Sequence, residues 1–169
     1  RAGDAVDAGR AARSLLDRTY GLVSDTPDGP VLEEYPAEPR PHVLNGWMWA
    51  LLGLYDLAHC DGPVDEDLRA QAADAWERGV ASLVAHLPRY ETGRGWSTYD
   101  LYPHAIANVA SPFYHRLHVS MLEAVARLAP YEELAHELEA TAARWEQALG
   151  RPMTRATAVA RKVGFRIVT

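Results

Sequence analysis

The sequence predicts an all-α fold of antiparallel helix pairs, forming part or all of an (α/α) toroid. Apolar residues recur three and four apart along most of the chain, Pro/Gly/Asp clusters interrupt that period at helix-length intervals, and short loops join the second helix to the third and the fourth to the fifth. No internal repeat is visible, so the toroid rests on helix count and on the motifs described below.

Five helices are expected. The first runs from about Asp4 to Val23, with Ala8, Ala12, Leu15, Leu16 and Tyr20 on one side, and SDTPDGP (Ser24 to Pro30) stops it. The second runs from about His42 to His59, entered through the proline-rich EYPAEPRP, where helix cannot form. Its sequence, HVLNGWMWALLGLYDLAH, is apolar nearly all round, which predicts a central helix buried on more than one side. Gly46 and Gly53 each cost such a helix roughly 1 kcal/mol of propensity, and the close approach of another backbone would compensate.

The third helix spans about Asp65 to Leu87, with Pro63 near its start and Pro88 past its end. The fourth begins near Pro112 and runs to Leu128, and the fifth covers Tyr131 to Leu149, closed by Gly150 and Pro152. Between the third and fourth lie 23 residues without lasting helical period, RYETGRGWSTYDLYPHAIANVAS. A long irregular segment inside a compact domain is usually functional, and its STYDLY centre reads as one or two short strands. Residues 151–169 read as a basic tail of a single 1–169 domain, and the weak alternation of VGFRIVT suggests an edge strand.

Composition narrows the function. The 17 basic and 23 acidic residues give a net charge of −6, which argues against a general nucleic-acid or membrane-surface binder. Charge is unevenly placed, because after Glu146 come Arg151, Arg155, Arg161, Lys162 and Arg166 with no acid among them. They form either a solvated tail or a ligand-facing surface. The lone Cys60 cannot close an intrachain disulfide, no apolar run is long enough to span a bilayer, and RAGDAVDAGRAARSLL lacks the apolar stretch of a signal peptide. The chain reads as a soluble segment without membrane insertion, and its start at Arg1 reads as that of an excised part of a longer protein.

Four segments carry chemistry: EEYP at Glu33 to Pro36, VLNGWMWALLGLYDL at Val43 to Leu57, RYETGRGWSTYDL at Arg89 to Leu101, and FYHRLHVSMLEAV at Phe113 to Val125. In order and spacing they resemble the C-terminal domain of the D-glucuronyl C5-epimerases, the heparosan-N-sulfate-glucuronate 5-epimerase type. That family is expected to carry EEYP, then an LNGF-like stretch with GLYDL, then YDTGSG with YDL, then YHxxHI. The resemblance implies the C-terminal part of a longer epimerase that inverts glucuronate to iduronate in a heparosan-like glycosaminoglycan, without redox cofactor or metal. Its partner would be an anionic polysaccharide, and a homodimer is the assembly to look for. Animal members work in the Golgi lumen; a bacterial cytoplasmic or exported location fits this composition. Carried over by motif, the catalytic groups are Tyr99, Tyr114, Glu34 and Tyr35.

Inverting C5 means removing the proton alpha to a carboxylate from one face of the ring and returning one to the other, so two proton-handling groups on opposite faces are the simplest arrangement. Tyr99 and Tyr114 would meet across one sugar-sized hollow. A phenol of pKa about 10 donates well near pH 7 but accepts poorly unless its anion is stabilised. The enolate-like transition state also needs positive or hydrogen-bonding groups at the carboxylate. Arg94, Arg116, His115, His118 and Asn45 lie nearest the motifs, with His118 favoured over Arg116 because it shares a helix face with Tyr114. The family is expected to carry a basic residue just after YDL where this chain has Tyr102, leaving Arg94 or His104 to substitute.

Each of these residues also has a structural reading. Tyr99 and Tyr114 could be ordinary buried aromatics, Tyr35 a rim residue and Glu34 a cap. His115 and His118 form HxxH, whose spacing suits a metal but which lacks a third ligand, so a polar or substrate-binding pair is the alternative. Asn45 serves either a structural hydrogen bond or a sugar contact. Trp47 and Trp49 read as core, whereas Trp96, flanked by Gly93 and Gly95, could stack on a sugar brought close to the backbone. TGRGWS lacks the GxxxxGK[ST] pattern of a phosphate loop. Two rivals to the epimerase remain: a polysaccharide lyase on the same scaffold, which shares the proton abstraction, and a non-catalytic glycan-binding or scaffold domain.

Overall fold

A computed structural model describes residues 2–168, and among them the chain is all-α with one small hairpin. The order is α1 (Ala2–Leu16), β1 (Val23–Thr26), β2 (Gly29–Leu32), α2 (Leu44–His59), α3 (Glu66–Tyr90), α4 (Pro112–Leu128), α5 (Glu132–Leu149) and α6 (Pro152–Val168). Among the described residues no helix is long and apolar enough to cross a membrane.

The centre of the core is α2. Its Leu44, Trp47, Met48, Leu51, Leu54 and Leu57 are buried at helical spacing, between α3 on one side and α4 on the other. Each fully buried leucine contributes about 1.5–3 kcal/mol. Gly79 of α3 provides a hole for one of them, because a Cβ there would lie 2.4 Å from the Leu51 side chain. Trp49, expected in the core, is instead 58% exposed, since two residues beyond Trp47 is about 200° round the helix.

Three boundaries differ from the sequence expectation. The first helix ends at Leu16, not Val23: Asp17 caps a short 3-10 turn at Arg18–Tyr20, and Gly21, at a φ of 68°, ends it. Tyr20 is consequently exposed; of the other expected inward residues Ala12 is buried, while the side chain of Ala8 lies outside the described residues. The SDTPDGP segment is not a mere stop but the turn of the hairpin, pairing Thr26 with Gly29 around Pro27-Asp28.

The third helix continues through Pro88 to Tyr90, held there by the fully buried Tyr90, whose hydroxyl donates to the His42 carbonyl at 2.6 Å. Finally, the basic tail is helix rather than edge strand through Val168; Thr169 lies outside the described residues. Its Ala- and Arg-rich sequence starts on Pro152 and favours helix, and Ala158 packs against Trp96, Val109 and Ala148.

The long segment between α3 and α4 makes only two isolated antiparallel bridges, Glu91 with Ser97 and Thr98 with Val109, not the expected strands. It is tied to the start of α2 instead. The Leu44 N–H, one of the unpaired donors of the first turn, gives its hydrogen bond to the Tyr99 carbonyl at 3.1 Å, and the Leu101 N–H bonds Pro41 at 2.9 Å.

Candidate active site

Tyr99 is fixed through its backbone. Its carbonyl is held by α2, and its N–H donates to the Asn108 carbonyl at 2.7 Å across the loop. Tyr114 sits in the first turn of α4, where Ser111 caps the helix by accepting from the Tyr114 N–H and Pro112 opens it. The two rings touch edge to face, with centroids 4.8 Å apart and planes at 76°. A sugar ring between two stacked faces needs roughly 7 Å, twice an ordinary carbon contact. The phenols expected above and below a sugar are in direct ring contact here, with no sugar-wide gap between the two rings.

Beside them stands EEYP. The Tyr35 hydroxyl donates to Glu34 Oε1 at 2.8 Å, and this tyrosine is 51% exposed. The hydrogen bond and the negative charge of Glu34 raise the Tyr35 pKa, and Tyr114 adds to the effect. Tyr99 is pushed up to about 12, first by partial burial, then by the Glu34 charge, and further by Tyr114 and Tyr35. The four residues thus form one electrostatic unit. Near neutral pH Tyr99 is therefore protonated, a donor and not an acceptor.

Gly46 explains where Glu34 fits. A Cβ at that position would fall 2.6 Å from Glu34 Oε2 and 2.8 Å from its Cβ, so the glycine of LNGW leaves the space the carboxylate side chain occupies. The close approach expected at Gly46 exists, but it is a side chain rather than a backbone; Gly53 meets nothing within 4 Å.

The flanking residues divide differently from the sequence expectation. His115 and His118 are wholly buried, so neither faces a substrate. The Ser97 N–H donates to His115 Nδ1 at 3.1 Å, which places the His115 proton on Nε2, where it donates to the Trp145 carbonyl at 3.0 Å. Ser97 Oγ lies 2.8 Å from Nδ1 of each histidine. Burial lowers their pKa values to about 4 and about 3, keeping both neutral. The HxxH pair therefore clamps the loop onto α4. Among the described residues, no group of three or more His, Cys, Asp or Glu is placed to hold a metal ion.

Trp96 is 1% exposed, stacks on His115 at 4.0 Å and donates its indole N–H to the Ala110 carbonyl, so it belongs to the core and not to a sugar platform. Gly95, at a φ of 72°, turns the backbone toward α5 instead of toward a ligand. Arg94 is exposed and reaches Thr157 of α6 at 3.2 Å, and Arg116 points outward as its two-residue offset from Tyr114 requires. The Asn45 side-chain oxygen is buried without a hydrogen-bond partner among the described residues, so no structural bond occupies it.

A second cluster adjoins Tyr99 that sequence reasoning only partly reached. Asp100 accepts from Asn108 at 2.6 Å and faces His104 Nε2 at 3.2 Å; Lys162 of α6 donates to Asn108 Oδ1 at 2.5 Å, with its ammonium 5.6 Å from the centre of the Tyr99 ring. In the sequence Lys162 is only one basic residue of the C-terminal tail. A separate cavity of about 210 Å³ opens between α1, the hairpin and α3, lined by Leu16, Leu32 and Ala75, without contact to these groups.

Comparison with known proteins finds similarity over most of the chain. The sequence profile described as D-glucuronyl C5-epimerase C-terminus matches residues 6–147. A D-glucuronyl C5-epimerase of Caenorhabditis elegans is 40% identical over 122 residues, covering 67% of this chain and 19% of that protein. An uncharacterised protein of Methanocaldococcus jannaschii is 33% identical over 85 residues, covering 50% of this chain and 24% of its own length. The chain thus spans about a fifth to a quarter of the relatives it matches.

Proposed function

Because the chain belongs to the D-glucuronyl C5-epimerase C-terminal family, we propose that it carries the proton-transfer wall of a polysaccharide uronate C5-epimerase acting on a heparosan-like chain. The observation that supports this most directly is the contact of Tyr99 with Tyr114 beside the Glu34–Tyr35 pair, three phenols and one carboxylate from three separate segments.

In this reading the uronate lies between the Glu34–Tyr35 side and the Tyr99–Tyr114 side. The Glu34 carboxylate, oriented by the Tyr35 hydroxyl, takes the C5 proton, and the electron pair moves into the substrate carboxylate as an enolate. Tyr99, held protonated by burial and by the Glu34 charge, returns a proton to the opposite face, with Tyr114 resupplying it. The electrons stay in the sugar, so no oxidant or reductant enters. The basic surface of α6, with Arg155, Arg161, Lys162 and Arg166 and no acid, favours an anionic polymer despite the net charge of −6.

The test is solvent deuterium incorporation at C5 of heparosan by the intact protein, with Tyr99→Phe and Tyr114→Phe alongside. The wild type should incorporate deuterium without cleaving the chain, and loss of the true donor should lower the rate roughly 10²–10⁴-fold with an unchanged circular dichroism spectrum. An ultraviolet-absorbing unsaturated uronate would show the lyase outcome, in which the carbanion expels the C4 substituent. Binding with no exchange would show a glycan-binding domain and overturn the catalytic reading.

A further inference from the structure

Abstracting a proton alpha to a carboxylate builds up a second negative charge on that carboxylate in the transition state, and a cation or hydrogen-bond donors beside it stabilise that charge. The nearby basic groups are mostly spent or out of place. His115 and His118 are buried and neutral, Arg94 is directed to Thr157, and Arg116 faces outward.

Lys162 remains. Its ammonium stands 5.6 Å from the Tyr99 ring centre and 5.1 Å from that of Phe165. Its hydrogen bond goes to a neutral acceptor, Asn108 Oδ1 at 2.5 Å, and Asn108 is itself held by Asp100 at 2.6 Å. An ammonium carries three donors, so a head group fixed by one neutral bond keeps donors for an incoming anion. Burial, and after it the neighbouring Arg166, lower the Lys162 pKa from its ordinary value, and Asp100 offsets part of that through space. The His104 ring, which contacts Phe165 at 4.8 Å, closes the far side of the same cluster.

From this geometry we infer that Lys162, delivered by α6 across the loop, binds the substrate's uronate carboxylate next to the donor Tyr99. The inference rests on the epimerase reading above and deepens it. It also assigns a role to a helix that lies outside residues 6–147, the part matched by the family profile. The site would thus be completed by a helix that follows the four shared motifs in the chain.

The experiment compares binding of a heparosan tetrasaccharide with binding of the same tetrasaccharide after its uronates are reduced to neutral glucose units, using the intact protein and isothermal titration. The wild type should prefer the uronate form by about tenfold or more, the scale of a charge-assisted hydrogen bond. Lys162→Met and Lys162→Gln should erase that preference, whereas Lys162→Arg should keep most of it. The glutamine variant retains a donor for Asn108, so it separates the charge from the bond that steadies the loop.

If both neutral variants keep the preference, or weaken both ligands equally, Lys162 is structural and the inference is overturned. A wild type that shows no preference overturns it without any variant. Deuterium exchange measured on the same samples keeps the two readings apart. Exchange that proceeds while the preference survives Lys162→Gln sinks the lysine assignment alone, and a preference that depends on Lys162 without any exchange sinks the epimerase alone.

Discussion

Gly46 and Gly53 lie seven residues apart in α2, and the same substitution should act on them in opposite ways. At Gly46 an added Cβ would sit 2.6 Å from Glu34 Oε2 and 2.8 Å from Glu34 Cβ, and restoring ordinary contact at 3.4 Å requires the Glu34 backbone to move, because the second atom is not the free end of a side chain. The helix gains about 1 kcal/mol from alanine, while overpacking of this kind costs about 1–3 kcal/mol, so Gly46→Ala should leave stability between neutral and about 2 kcal/mol lower. For a chain of this size that is at most about 4–8 °C in melting temperature. The effect on rate should be larger, since a misplacement near 1 Å can cost about 100-fold. At Gly53 nothing lies within 4 Å, so Gly53→Ala should raise the melting temperature by about 2–4 °C and leave activity unchanged. Thermal melts and deuterium exchange into heparosan measure both quantities on both variants. Equal exchange rates for Gly46→Ala and the wild type would refute the argument that this glycine seats the carboxylate.

Two further predictions concern acid. Burial of Glu33 alone would raise its pKa, but the Ser24 hydroxyl at 2.6 Å, the His42 N–H at 3.0 Å and the His42 ring nitrogen at 2.6 Å outweigh it, and the net shift is downward from 4.5. A depressed carboxylate stabilises the fold above its unfolded value and loses that contribution as pH falls through the folded one, so Glu33→Gln should cost about 1.5–3 kcal/mol at neutral pH and flatten the decline below pH 4.5. Urea titrations of wild type and variant across that range check it, and parallel curves would refute it. His115 and His118, held neutral with pKa values of about 4 and about 3 against an ordinary 6.5, act in a higher window. The unfolded chain takes up protons that the folded one refuses, so stability should fall as pH drops from 6.5 toward 4. His118→Asn should show a shallower slope, and a flat wild-type curve over that interval would contradict the burial argument.

Much of the helical framework was legible because it depends on local information. Pro112 after a capping Ser111, the acidic first turn of α5 and the apolar spacing of α2 act within a few residues, and the structure reproduces α2, α4 and α5 almost to the residue. Errors came where tertiary contacts outweighed the local signal. Pro88 would end an isolated helix, but burying Tyr90 carries α3 past it. TPDG forms a hairpin turn whose strands have only four residues each, too few for an alternating pattern to stand out in the sequence.

The motif order alone determined which family the chain belongs to and which tyrosines deserve attention, since side-chain identity at fixed spacing is a property of the sequence. What each polar residue faces was decided only in three dimensions. His115, His118 and Trp96 share the motifs with Tyr99 and Tyr114, yet they turn inward to clamp the loop, while Lys162, 63 positions beyond Tyr99, arrives beside it. Helical periodicity assigns a residue to a face; the packing of that face against other helices decides whether it meets solvent, substrate or core.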